Sequence, residues 1–175
     1  MMIHIREAKD FEYDKVREFY HAVTDTLQGA QYTPGWIKGI YPSDDYLKNS
    51  IERQELLIGI SDDRIVSAMI VNHDGNESYA KAEWMAKADP GQITVIHALG
   101  VCSDYSRKGI AKKMVEWVLA EARKTGQKTV RLDVLKGNLP AERLYTGIGF
   151  QHIDTIQMYY DDTGWTDYLL YEYLL

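Results

Sequence analysis

Cysteine is nearly absent from this chain of 175 residues. The single Cys102 excludes an internal disulfide, and five scattered histidines form no Cys/His spacing of a zinc site, so no structural metal is expected. Long apolar runs are missing too. Nothing approaches the roughly 18 uninterrupted residues of a membrane helix, and the start lacks a secretory apolar core. A cytoplasmic protein without a membrane partner is the expectation. Positive charge is in short supply, with 20 Lys and Arg against 26 Asp and Glu and a formal net charge of -6. That balance argues against a nucleic-acid partner, which needs a basic stripe. Repeats, low-complexity tracts and linkers are also lacking, so residues 1–175 are read as one domain.

What the chain has is an ordinary globular mix, 45% apolar and 26% charged, with a surplus of tyrosine: 13, beside four tryptophans. Many of these rings must lie at the surface or line a pocket. Periodicity divides the chain into elements. Ile3 to Ala8 alternates as a half-buried strand, Asp10 stands where an N-cap belongs, and Val16, Phe19, Tyr20, Val23 and Leu27 stripe a helix to about Gln28. An aromatic loop follows from Gly29 to Tyr41, then Pro42-Ser43-Asp44-Asp45 caps a second helix to about Arg53. Leu56 to Ile60 and Ile65 to Val71 predict a hairpin. Residues 72–91 carry no clear pattern. Gln92 to Val101 is the most strand-like run and should be central. A helix is predicted from Arg107 to Lys124, a strand from Lys128 to Leu135, and a short helix from Asn138 to Gly147. Strands at Phe150 to Tyr160 and Tyr168 to Leu174 complete a mixed α/β sheet in the order β-α-α-β-β-β-α-β-α-β-β. The last strand either pairs a homodimer or closes the monomer's own sheet.

Chemistry concentrates after the central strand, where Cys102-Ser-Asp-Tyr-Ser106 leads into Arg107-Lys108-Gly109-Ile110-Ala111. A helix start offers unpaired N–H groups and the positive end of its dipole, which can hold a pyrophosphate largely by main chain. Gly109 permits close approach, Ala111 adds little bulk, and Arg107 and Lys108 add charge. An ordinary basic helix start explains this turn equally well on its own. Some thirty residues later stand Asn138, Ala141, Leu144-Tyr145 and Gly149-Phe150.

Together the two segments resemble the GNAT superfamily of N-acetyltransferases. Its coenzyme A turn is matched by Ser106-Arg-Lys-Gly109-Ile-Ala111, with Ser106 where the family usually places Arg or Gln. A serine there is expected to cap the helix instead. The resemblance implies a mixed, mostly antiparallel central sheet flanked by helices and splayed at the cofactor strand, with acetyl-CoA as cofactor. It further implies that Leu99, Gly100 and Val101 offer main-chain groups to pantetheine, that Asn138 hydrogen-bonds the cofactor, and that Tyr145 protonates the leaving thiolate. His97 lies in a run like a His-Ala-Leu-Ala-Val strand of the family in which histidines help take the amine's proton, although the second histidine of that pair falls at Val95. Glu83, just before Trp84, is the rival base. Both also have plain structural readings, as a strand histidine and an exposed loop glutamate. Trp36, Tyr41 and Trp84 are candidates to shape the acceptor pocket or stack on a cation. The reaction expected is acetyl transfer to a primary amine, a small molecule, by direct attack in a ternary complex. The alternative is a coenzyme A-binding sensor of the same fold without turnover.

Overall fold

The computed structural model describes residues 2–175. Seven strands are built from His4–Glu7 (β1), Leu56–Ser61 (β2), Arg64–Asn72 (β3), Ile93–Val101 (β4), Thr129–Leu135 (β5), Gln151–Tyr160 (β6) and Gly164–Leu174 (β7). Four helices accompany them: Tyr13–Leu27 (α1), Asp44–Glu52 (α2), Ile110–Lys124 (α3) and Leu139–Ile148 (α4). The sheet order is β1-β2-β3-β4-β5-β7-β6, antiparallel throughout except between β4 and β5. The order of elements matches the expectation from periodicity. β7 lies between β5 and β6, so it closes the chain's own sheet, and β6 is the strand at that edge.

Helices cover both faces, which explains why β2 is a nearly continuous apolar run. Val16, Phe19, Tyr20 and Val23 of α1 and Leu47 and Ile51 of α2 pack on Leu56, Ile58, Ala68 and Ile70. On the opposite face, Met114, Val115, Val118 and Leu119 of α3 and Tyr145 of α4 pack on Leu57, Met69, Ile96, Val130 and Leu132. Ser43 caps α2, its hydroxyl accepting from Tyr46 N at 3.1 Å. Asp10 does not cap α1. Residues 10–12 form a 3-10 turn instead, in which the Glu12 carboxylate accepts from Lys9 N and pairs with Arg6 at 2.8 Å. The unpatterned stretch 72–91 holds a further 3-10 turn at Glu77–Lys81, and another follows at Pro90–Gln92.

One buried ion pair fastens this stretch to the sheet. Glu172 of β7 is fully buried and accepts from Arg131 Nε at 3.0 Å, Thr129 Oγ1 at 3.0 Å and Met85 N at 2.6 Å. Arg131 in turn donates to Ala86 O at 2.8 Å and lies 4.3 Å from the centre of the Trp84 ring. A guanidinium left buried without its carboxylate carries an uncompensated charge. Glu172→Gln should therefore lower unfolding free energy by about 3 kcal/mol, read from urea denaturation midpoints.

Candidate active site

The site arises from a defect in strand pairing. β4 and β5 are in register only at Ile93 with Thr129, Thr94 with Val130 and Val95 with Arg131, after which the two strands part. The other edge of β4 bends at the same place: Ile70 of β3 faces His97 while Ala68 faces Gly100, so β4 carries one extra residue. Ala98 takes up the bulge with φ of 51°, and its carbonyl accepts from the buried Tyr20 hydroxyl at 2.9 Å. Bulges bend a strand and leave a residue outside the ladder. Main chain around Leu99 is thereby released from β5 and turned toward the gap.

Two cavities open on this gap. A groove of about 480 Å³ runs along Leu99, Gly100 and Val101 to the turn before α3, lined there by Ser106, Arg107, Gly109, Ile110 and Ala111. A smaller pocket of about 100 Å³ lies on the other side, among Tyr41, His97, Asp133, Tyr160 and Tyr168. Pro34, Trp36, Leu99, Asn138, Ala141 and Tyr145 line both. The pockets therefore meet, and Tyr145 stands at the junction.

The groove suits an extended molecule with a phosphate end. Arg107 and Gly109 both adopt left-handed conformations, φ 59° and 76°. A Cβ on Gly109 would meet nothing within 4 Å, so backbone conformation rather than crowding calls for glycine there. The first intrahelical bond of α3 is Lys113 N to Gly109 O, which leaves the amides of Ile110, Ala111 and Lys112 as the free donors that open every helix. Ser106 does not cap α3, because Gly109 holds the N-cap position and no side chain accepts there. Lys108 lies over the Tyr105 ring at 4.9 Å, outside the groove lining. Asn138 heads α4 but its side chain makes no capping hydrogen bond, so its amide is available to a ligand.

Sequence and structure comparisons agree with this geometry. A family model described as "Acetyltransferase (GNAT) family" matches residues 17–150. The chain belongs to the GNAT family of acetyltransferases. No curated protein matches it. Among solved structures, a GNAT-family acetyltransferase from Streptococcus agalactiae 2603 is 16% identical with a TM-score of 0.80, covering 99% of this chain and 95% of that one. The PaiA N-acetyltransferase from Thermoplasma acidophilum, solved in complex with coenzyme A, is 19% identical with a TM-score of 0.72 over 100% of both chains. YncA from Salmonella typhimurium, solved with acetyl-CoA, is 16% identical with a TM-score of 0.71, covering 100% and 95%. Acetyl-CoA is the cofactor of the GNAT family, and the groove has the donors that such a molecule requires.

Besides Lys108, two of the expected residues lie elsewhere in this GNAT fold. Glu83 is exposed and lines neither cavity, and Trp84 packs on Tyr79 and Arg131 with its indole N–H on Tyr79 O at 2.8 Å. Both precede β4, beside the end where β4 and β5 are still paired, whereas β4 lines the cavities from Ile96 onward, past the last paired residue. Conversely, Asp133, Tyr160, Tyr168 and Asp162 line the smaller pocket, and sequence reasoning misses them. An acid in the middle of the apolar run Leu132-Asp133-Val134 is the available signal, since a charge is rarely buried without purpose.

His97 is held in one tautomer. Asn72 Oδ1 accepts from Asp74 N at 3.0 Å while Asn72 Nδ2 donates to Glu55 Oε2 at 3.4 Å, which fixes the amide's orientation. His97 Nε2 lies 2.9 Å from that oxygen and must carry the proton, leaving Nδ1 as the acceptor. Burial pulls the imidazole pKa down to about 4, opposed by Asp74, so the ring is neutral at pH 7. Tyr145 packs against Phe150 and Tyr171, and burial raises its hydroxyl well above the usual phenol range. Its hydroxyl makes no hydrogen bond among the described residues, and the residue lines both cavities.

A histidine whose folded pKa lies below its unfolded value contributes stability above about pH 6.5 that is lost as pH falls toward 4. Between pH 7 and 4 the wild type should lose about 3 kcal/mol more than His97→Asn, measured by urea denaturation at each pH. Parallel pH curves for the two proteins would contradict a neutral, buried His97.

Proposed function

We propose that this GNAT protein transfers the acetyl group of acetyl-CoA to the primary amine of a small molecule, by direct attack while both are bound. The observation that carries this reading is the meeting of two cavities at one tyrosine, one cavity with helix-end amides for a phosphate chain and one narrow and aromatic. Acetyl-CoA supplies an acetyl carbonyl activated by a thiol leaving group. In this reading the amides of Ile110 and Ala111, with Arg107, hold the pyrophosphate, and Asn138 and main chain at Leu99, Gly100 and Val101 hold the pantetheine arm.

On the acceptor side, Trp36 and Tyr41 confine the amine. His97 Nδ1, directly or through water, receives the proton the attacking nitrogen gives up. Tyr145 holds a phenolic proton at the junction, within a site where a hydrogen bond to the departing sulfur can share and then pass on that proton. Attack forms the C–N bond, the C–S bond breaks, and the sulfur takes the Tyr145 proton. Cys102 has no part in this scheme. Its thiol is half-buried, donates to Ile65 O at 3.6 Å, and is pushed up in pKa by burial, the opposite of an activated nucleophile.

Calorimetric titration with acetyl-CoA, and with a nucleotide lacking the pantetheine arm, tests the cofactor groove. Binding that requires the arm is expected, and no binding at millimolar acetyl-CoA would overturn the reading. Tyr145→Phe should bind acetyl-CoA as the wild type does while kcat for thiol release falls about 100-fold. Cys102→Ala should keep turnover within about twofold. A loss of several hundredfold in folded Cys102→Ala would replace direct attack by an acetyl-cysteine route.

A further inference from the structure

The two cavities differ in charge, and the difference points to the acceptor. Arg107 and Lys112 line the cofactor groove, which has no acidic residue, whereas Asp133 and Asp162 line the acceptor pocket, which has no lysine or arginine. Asp133 lies in that pocket with two hydroxyls on one oxygen: Tyr79 donates to Oδ2 at 2.6 Å and Tyr160 donates to the same atom at 2.7 Å. Both phenols favour the carboxylate form, the form with which a cation would pair. Burial outweighs the two phenols and leaves the carboxyl raised in pKa, so its charged form calls for a further partner. The other oxygen, Oδ1, has no partner among the described residues, and no cationic side chain pairs with Asp133. Nearby cations are engaged elsewhere, Arg131 with Glu172 and Lys136 with Asp167. A sequestered carboxylate without a counter-ion is costly unless a ligand brings one.

The charge on that ligand separates two roles. An ammonium held against a carboxylate is kept protonated, and a protonated amine has no lone pair with which to attack. The nitrogen at Asp133 is therefore not the nitrogen that reacts. We propose that the acceptor is a diamine-type dication, one ammonium of which stays charged against Asp133 Oδ1 while the other amine, freed of its proton, reaches the junction at Tyr145. The tyrosine walls at Tyr41, Tyr160 and Tyr168 suit the alkyl stem and the cationic end, and Asp162 adds negative potential that draws cations in.

The inference rests on the acetyltransferase reading and is tested separately from it. Thiol release would be followed with acetyl-CoA and butane-, pentane- and hexane-based acceptors, each as α,ω-diamine, monoamine and amino alcohol of equal length. The best diamine should exceed its matched monoamine and amino alcohol in kcat/KM by at least about tenfold, the contribution of one charge-assisted hydrogen bond. Equal kcat/KM across a matched set overturns the proposal without recourse to any variant. In Asp133→Asn the diamine preference should collapse to about one, with acetyl-CoA affinity by calorimetry unchanged. A preference that survives this substitution overturns the anchor, as does a kcat that drops equally for every acceptor, which would make Asp133 the base. If acetyl-CoA does not bind and no amine releases thiol, the acetyltransferase reading itself falls.

Discussion

Everything functional in this protein depends on β4 ceasing to pair with β5 after Val95. A parallel pair that continued to Val101 would satisfy its own main chain and leave no gap. The hydrogen bond from Tyr20 to the Ala98 carbonyl, at 2.9 Å, occupies an acceptor at the bulge from the α1 side and holds Ala98 in its left-handed conformation. Strain at a non-glycine residue persists only where its surroundings over-determine it. Here the surroundings include Phe19, 5.2 Å from the Tyr20 ring, and Trp36, 5.9 Å from it. The same tryptophan walls both cavities, so the packing that stabilises the bulge also shapes what the bulge opens.

Around that gap the chain separates two kinds of electrostatics. The groove gathers helix-end amides and an arginine, the pocket gathers carboxylates, tyrosines and a neutral imidazole. An acidic protein with net charge -6 can thus present a locally positive site to a phosphate chain. The uncharged junction between them, made of Leu99, Ala141, Asn138 and Tyr145, is where a neutral nucleophile and a neutral acetyl group would be favoured over charged ones.

The fold is largely legible in the sequence because its helices and strands carry local periodicity, and because the α3 turn and the start of α4 carry their chemistry in short, contiguous segments. Legibility fails where the relation is between distant residues. Nothing local in Ile96-His97-Ala98-Leu99 announces a bulge, since alanine rarely takes positive φ and the Tyr20 contact to its carbonyl comes from 78 residues away. Asp133 acquires its meaning from Tyr79 and Tyr160, 54 and 27 residues distant. Nearness in sequence to β4 draws Glu83 and Trp84 toward the site, yet they stand beside its paired start, Trp84 against Arg131, and neither lines a cavity. The hydroxyl of Ser106 suggests a cap, where the turn instead relies on Gly109 at that position.

That last feature bears on how such a protein can change over time. If the α3 turn holds a phosphate chain as proposed, most of that hold comes from amides, which ask of the sequence chiefly the left-handed conformations at Arg107 and Gly109. Mutation can rewrite the exposed side chains around it while the recognition surface persists, because peptide groups are common to all residues. A fold shared at 16 to 19% identity is what that freedom would leave behind. The smaller pocket, written in carboxylates and phenols, has no such shelter, so if it takes the acceptor as proposed, each substitution there alters what is recognised. On that reading, one cavity is free to diversify while the other stays fixed in shape.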